Sequence, residues 1–272
     1  MKKVLSVLII AVVVLAVNTS ITPATNCYPI TSPAENQDNQ HAPKLFIGGG
    51  ALSETMYMIF VTLAGPEAKL VVIPTASKDE PDVEKIQKVW HSRGIREVSV
   101  LHTNDRKVAS SPKFSEPLRK ATAVWFSGGS QQRIADAYLG TPVEEELSRL
   151  LKRGGIIGGS SAGAAIMSRV MIRGGKSQPK ISTGLNLIPG AIIDQHFLKR
   201  NRISRLIAAV RAHPDRVGFG IDEDTAIIVY DNEYRIVGKS YVLRIEMVEG
   251  AIKIDAFKEG DIIPIADHKA RD

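Results

Sequence analysis

Gly159-Ser160-Ser161-Ala162-Gly163 has the spacing G-x-S-x-G, between an apolar run, Gly155-Ile156-Ile157, and a helical pattern, Ala164–Met171. Between a strand and a helix that spacing describes a nucleophile elbow. The turn is tight and strained, so it needs small neighbours, and it lifts the Ser161 hydroxyl out at the carboxyl end of a central strand. The N–H groups of the helix that follows point at the same place, which suits a developing oxyanion. A serine used this way needs a base, and the base needs a group to fix its tautomer. Of six histidines, His41 falls in a polar N-terminal stretch, and His91, His102, His213 and His268 fall on helices, loops or the tail. His196 alone follows the elbow at a strand end, beside Asp194 and Gln195. Glu223, within Asp222-Glu223-Asp224, offers a carboxylate at another strand end. Taken singly, each has a plainer reading: a Gly/Ser/Ala-rich turn, a structural histidine, a solvated acidic turn. All three at strand ends argue for chemistry.

The elements that must position these residues read as alternating strands and helices. Lys44–Ile47 is a strand candidate ending in Gly48-Gly49-Gly50. That glycine run lacks the spacing of a dinucleotide or nucleotide-phosphate loop and reads as a tight βα turn. Ser53–Ala64 has helical spacing, Lys69–Ile73 is an apolar strand, Asp82–Arg93 an amphipathic helix and Glu97–Leu101 a strand. Ala121–Phe126 is a strand running into Ser127-Gly128-Gly129-Ser130-Gln131. Thr141–Arg153 is a helix with Pro142 in its first turn and Glu144-Glu145-Glu146 near its positive end. Apolar strands between helices predict an α/β domain with a doubly wound, mostly parallel sheet, covered on both faces, with functional groups at strand carboxyl ends. Beyond the elbow lie a Gly/Ser/Lys/Pro-rich loop, Arg173–Asn186, a short strand, Ala191–Asp194, and a helix opening at Lys199-Arg200-Asn201-Arg202-Ile203-Ser204-Arg205. Gly218–Ile221 is a further strand. Thr225–Tyr230, Arg235–Val237, Tyr241–Glu246 and Ala251–Ala256 predict a small, partly antiparallel C-terminal extension.

Residues 1–24 have the form of a signal peptide: Lys2-Lys3, then a nearly all-apolar Val4–Val17 too short for a comfortable membrane span. The expected location is therefore exported, with no stable span after cleavage; the alternative is an uncleaved N-terminal anchor. Residues 25–43 read as a disordered linker, and 44–272 as the folded domain. Cys27, the one cysteine, lacks a proper lipobox before it and allows no intrachain disulfide. The formal charge of +6 falls to +4 without Lys2 and Lys3. No Lys/Arg block accompanies it, so nucleic acid is not an expected partner.

Six separated motifs together resemble the cyanophycinase family. They are Gly128-Gly129 with Gln131, Gly159–Ala165, Leu187-Ile188-Pro189-Gly190, Asp194-Gln195-His196-Phe197, Arg200/Arg202/Arg205, and Gly220–Ala226. The family consists of serine peptidases related to α-aspartyl dipeptidase, with a fold akin to class I glutamine amidotransferases. The resemblance runs from about Lys44 to Ala256. It implies hydrolysis of cyanophycin, a poly-aspartate with arginine on each β-carboxyl, to β-Asp-Arg dipeptides. It implies Ser161 as nucleophile, His196 as base and Glu223 as its orienting acid. It further implies that Gln131, Asp194, Gln195, Arg200, Arg202 and Arg205 line the substrate pocket. Chemically, the arginines suit carboxylates through forked hydrogen bonds and Asp194 suits a guanidinium. The oxyanion donors would be the Ala162 N–H and one from Gly129 or Ser130. No metal or organic cofactor is implied, and the relatives imply a homodimer. Two departures stand out: Ser130 replaces the usual acidic or amide residue, and Arg173–Asn186 carries Lys176 and Lys180 but no acid.

Two other readings remain open at this level. One is an α-aspartyl or isoaspartyl dipeptidase of the same family. The other is a secreted binding domain without turnover, expected if Ser161, His196 and Glu223 fail to converge. A glutamine amidotransferase is excluded, because that chemistry needs a cysteine at the elbow.

Overall fold

The computed structural model describes residues 44–231 and 233–265. The expected signal peptide at 1–24 and linker at 25–43 lie outside the described residues. Five strands and six helices precede the elbow: β1 (Leu45–Gly48), α1 (Glu54–Ala64), β2 (Lys69–Ile73), α2 (Val83–Ser92), β3 (Glu97–Val100), α3 (Arg106–Ala109), α4 (Glu116–Lys120), β4 (Ala123–Phe126), α5 (Gln131–Tyr138), α6 (Pro142–Lys152) and β5 (Ile156–Ser160). After it come α7 (Ala162–Ala165), the hairpin β6 (Val170–Gly174) and β7 (Lys180–Thr183), β8 (Ala191–Gln195), α8 (Ile203–Ala212) and β9 (Val217–Ile221). The chain closes with β10 (Thr225–Val229), β11 (Glu233–Gly238), β12 (Val242–Val248), β13 (Ala251–Phe257) and β14 (Ile262–Pro264).

The main sheet has the order β14-β11-β10-β1-β5-β4-β2-β3. Its five strands from β1 to β3 are parallel, and β10, β11 and β14 extend it antiparallel. Successive strand side chains point to opposite faces, so each apolar run feeds two cores. Ile47, Val71, Ile73 and Phe126 meet Ile134 of α5 and Leu147 of α6 on one face. Phe46, Val72 and Trp125 meet Phe60 of α1 and Trp90 of α2 on the other. This is the doubly wound arrangement. The aromatic cluster is tight enough that a Cβ on Gly158 would lie 2.6 Å from the Phe60 ring, so the glycine lets α1 close onto β5. Thr141 caps α6 by accepting from the Val143 N–H at 3.3 Å.

The C-terminal strands divide between two sheets. Where one closing extension was expected, only β10, β11 and β14 join the main sheet. β12 and β13 instead continue a separate four-stranded sheet, β13-β12-β9-β8. Ile193, Phe219 and Ile221 of that sheet turn into the core shared with the main sheet. Ile192 and Ile245 turn the other way, onto Leu206, Ala209 and Val210 of α8.

The helix expected over Ala164–Met171 is a single turn. The Leu185 and Leu187 N–H groups take the Ile166 and Met167 carbonyls at 2.8 and 2.7 Å, acceptors that a longer helix would have used. Gly184 permits this approach, since a Cβ there would sit 2.1 Å from the Ser168 carbonyl oxygen. Val170 and Met171 consequently enter β6, and part of the expected loop Arg173–Asn186 is the strand β7. The helix expected to open at Lys199 begins at Ile203, after a turn closed by Arg200 N–H to His196 O and Arg202 N–H to Phe197 O, both 3.0 Å.

Candidate active site

Ser161 sits between β5 and α7 with φ 56° and ψ −109°. A non-glycine residue held there costs about 1–3 kcal/mol, and the surroundings enforce it. The Ser161 N–H donates to the Gly48 carbonyl at 3.1 Å, and the Ser161 carbonyl accepts from Ala164 and Ala165 N–H at 3.1 and 3.0 Å. Both glycines of the motif are sterically required. A Cβ on Gly159 would lie 2.5 Å from the Gly163 carbonyl oxygen, and one on Gly163 would lie 2.2 Å from that of Phe126.

His196 follows β8 with φ 48°. Its Nε2 lies 3.0 Å from Ser161 Oγ and its Nδ1 2.7 Å from Glu223 Oε1. A carboxylate accepts only, so Nδ1 carries the proton and Nε2 presents its lone pair to the serine hydroxyl. The three sequence-predicted residues therefore converge in an order that can move a proton from Ser161 Oγ to His196. Burial is the main influence on His196 and lowers its pKa; the Glu223 hydrogen bond works against this, and the Arg200 charge adds to the lowering. The net shift is downward from 6.5.

Glu223 is fixed through its neighbours. Asp222 accepts from Lys199 N–H at 2.9 Å and Ser240 Oγ at 2.8 Å. Asp224 accepts from Ser53 N–H at 2.7 Å and pairs with Lys239 at 2.8 Å. Burial alone would raise both aspartates, but these hydrogen bonds outweigh it and both carboxyls titrate below their usual value. The acidic triplet is thus a hydrogen-bonded mount for Glu223.

The glycine run after β1 has a role that its sequence did not reveal. Gly48, Gly49 and Gly50 carbonyls accept in succession from Ser161 N–H at 3.1 Å, His196 N–H at 2.6 Å and Asp224 N–H at 3.0 Å. A Cβ on Gly49 would lie 2.0 Å from the Asp222 carbonyl oxygen, and one on Gly50 would lie 2.3 Å from His196 Cε1. The available signal was three glycines in a row, more than a simple βα turn requires.

Of the two donors considered opposite Ala162, Ser130 is committed elsewhere, its N–H donating to the Ala76 carbonyl at 2.8 Å. Gly129 has φ 138° and lies so close to Ala76 that a Cβ would sit 2.3 Å from its carbonyl oxygen. Gly128 beside it faces Ser161 Cβ. Ala162 opens α7, where the first N–H groups have no intrahelical acceptor.

The expected pocket residues separate into three groups. Asp194 and Arg205 do not line an open pocket: they are 1% and 4% exposed and bind each other through two hydrogen bonds of 2.7 and 2.5 Å. The Gln195 N–H and Arg202 Nη1, the latter at 3.5 Å, also donate to Asp194, and Arg205 donates to the Gly175 carbonyl. Gln131 is also drawn away, its buried amide donating to the Ile172 carbonyl at 2.6 Å. Gln195 and Arg202 form the second group. Gln195 Oε1 stands 3.4 Å from Ser161 Oγ and accepts from Arg202 Nη1 at 3.0 Å. Burial, then the adjacent Arg205 charge, lowers Arg202 to about 10, which leaves it cationic at neutral pH. Arg200 alone is exposed, close enough for its charge to act on His196.

A family model described as Peptidase family S51 matches residues 45–237. The chain belongs to peptidase family S51. Relatives named cyanophycinase include one from Geminocystis herdmanii, 36% identical over 189 residues, which are 65% of this chain and 69% of that protein. One from Synechococcus elongatus is 34% identical over 235 residues, 81% of this chain and 73% of that protein. One from Nostoc sp. is 35% identical over 206 residues, 72% and 69% respectively. Among solved structures, a peptidase from an acI-B1 Actinobacterium superposes with TM-score 0.62 at 23% identity, covering 84% of this chain and 98% of that one. A putative peptidase E from Listeria monocytogenes gives 0.52 at 20%, covering 73% and 100%. These two likenesses establish a shared fold for this S51 peptidase. Among its described residues no group of three or more His, Cys, Asp or Glu is placed to hold a metal ion.

Proposed function

We propose that this S51 peptidase is a serine-type exopeptidase that hydrolyses cyanophycin to β-Asp-Arg dipeptides. The observation that carries the proposal is the hydrogen-bonded chain Ser161–His196–Glu223, with spacings of 3.0 and 2.7 Å, at a strained elbow. Relatives named cyanophycinase at 34–36% identity support the substrate. Ser161 Oγ attacks the scissile carbonyl as its proton passes to His196 Nε2, while Glu223 holds the Nδ1 proton and stabilises the imidazolium. The oxyanion is received by the Ala162 and Gly129 N–H groups. His196 then protonates the leaving amine, and water, activated by the same nitrogen, hydrolyses the acyl-enzyme. Arg200 is positioned to meet a substrate carboxylate, and Gln195, held by Arg202, to orient the chain beside Ser161. The signal-peptide form of the sequence over residues 1–24 supports a reaction outside the cytoplasm, and fractionation of the producing cell tests it.

Incubating the protein with insoluble cyanophycin and identifying soluble products by mass spectrometry tests the function. The expected product is β-Asp-Arg, released by the wild type and not by Ser161→Ala. Cleavage of Asp-X dipeptides with nothing released from the polymer assigns the dipeptidase activity instead. Inertness toward both leaves a binding domain.

A further inference from the structure

The β6–β7 hairpin is tied to both flanks of the site. At Ile172 its carbonyl takes the Gln131 amide, which directly follows the Gly129-Ser130 turn. At Gly175 its carbonyl takes Arg205 Nη1 at 2.7 Å, and that guanidinium also holds Asp194, the residue before Gln195. Two anchors three residues apart hold this side of the hairpin against the start of α5 and the Asp194–Arg205 pair at the end of β8.

Beyond the second anchor the hairpin tip and α8 enclose a groove of about 580 Å³. Ser177 and Gln178 line one wall, and Ser204, Ile207, Ala208 and Arg211 the other. The helical positions recur at three- and four-residue spacing, so they form one face. That face starts beside Arg205, next to the site, and runs about 10 Å to Arg211 at 1.5 Å per residue. An extended chain of about three residues covers that length.

The charge of this region is one-sided. From β6 to the end of α8, residues 170–212, the sequence holds eight Lys and Arg and a single acid, Asp194. Asp194 is buried and bound to Arg205, so it contributes no negative charge to the surface. Lys176, adjoining Ser177, and Arg211 are both exposed and pair with no acid among the described residues. No acidic residue lines the groove among the described residues. Hydroxyls, an amide and two flanking cations form a surface for carboxylates. They offer no anion to pair with a guanidinium.

The geometry points to this groove as a subsite for the part of the polymer not being cleaved. It seats about three repeats, with Lys176 and Arg211 receiving the free carboxylates of the arginine branches and the guanidiniums left in solvent. The inference rests on cyanophycin being the substrate, and it assigns the polymer preference to residues outside the catalytic centre.

Binding measured without turnover separates the two. The full chain carrying Ser161→Ala is titrated with fluorescein-labelled oligomers of one and of four β-Asp-Arg repeats, at several salt concentrations. The same titration is made with Lys176→Gln and Arg211→Gln added, after a thermal melt shows unchanged folding. The four-repeat oligomer is expected to bind at least tenfold tighter than the single repeat. The added substitutions are expected to abolish that advantage and its salt dependence while single-repeat affinity stays unchanged. Equal affinity for both lengths, an equal loss for both, or no loss overturns the subsite. So does an RNA tetranucleotide that binds as tightly as the four-repeat oligomer. Hydrolysis of the same oligomers by the wild type reads the proposed function separately: tight, length-dependent binding without cleavage overturns the function and leaves the groove standing.

Discussion

Two carboxylate–nitrogen-base pairs, anchored two residues apart at Asp194 and His196, differ in every respect that matters. Asp194 and Arg205 are sealed from solvent, doubly hydrogen-bonded, and supplied with further backbone partners. Glu223 and His196 share one hydrogen bond, with Glu223's side chain 28% exposed and a histidine nitrogen turned to a serine hydroxyl. The first pair has no unsatisfied capacity and acts as architecture, fixing the end of β8 and the hairpin. The second keeps one lone pair uncommitted to the protein frame, and that remainder is where chemistry happens. Sequence patterns group Asp194 with His196 because they neighbour one another along the chain; burial and saturation separate them.

Several substitutions test that division, beginning with the largest effect. Ser161→Ala is expected to lower kcat by about 10⁴- to 10⁶-fold with an unchanged melting curve; steady-state hydrolysis beside a thermal melt measures both. Glu223→Gln is expected to lower kcat by about 10⁴-fold, again without unfolding, because the histidine tautomer is lost. Asp194→Ala should do the reverse in emphasis. It leaves the buried Arg205 guanidinium without its counter-charge, and is expected to cost about 3–5 kcal/mol in urea unfolding. A stably folded Asp194→Ala protein with only its KM raised would place Asp194 in the substrate site after all. Gly50→Ala pushes a methyl into the His196 ring and is expected to reduce kcat by about 10²-fold with little change in KM, the scale of an ångström-sized misplacement.

The smallest effect is in the pH profile. His196 must be neutral to accept the serine proton, and its pKa is lowered from 6.5 by burial, with Arg200's charge contributing. The acid limb of kcat/KM is therefore expected below pH 6.5, with activity lost as pH falls through the folded-state value. Arg200→Gln removes one lowering influence, so the limb is expected to move up in pH while KM rises. A limb that stays in place separates Arg200 from the histidine.

Much of this molecule was legible from its sequence, for identifiable reasons. Apolar runs bounded by Gly and Pro marked the strands, and Ser161, His196 and Glu223 could be ordered because parallel sheets gather function at strand carboxyl ends. Leading strand, helix and elbow fell within a few residues of expectation. The one-turn α7 was not legible, since its length is set by Leu185 and Leu187 returning to take its acceptors. The pairing of Asp194 with Arg205 was likewise hidden: it depends on α8 starting at Ile203, which points Arg205 back at the strand rather than outward. Nothing in Gly48-Gly49-Gly50 could say what its carbonyls hold, because those partners arrive from β5, the end of β8 and the turn before β10.

That glycine run has a mechanical consequence. Three residues drawn from distant parts of the chain hang from consecutive peptide groups of one strand end. A thermal displacement of that end carries all three suspended segments in the same direction. Their separations are then insulated from the motion, as instruments bolted to one rail keep alignment while the rail vibrates. A motion of this strand end would move the serine, the histidine and the turn that carries Glu223 together.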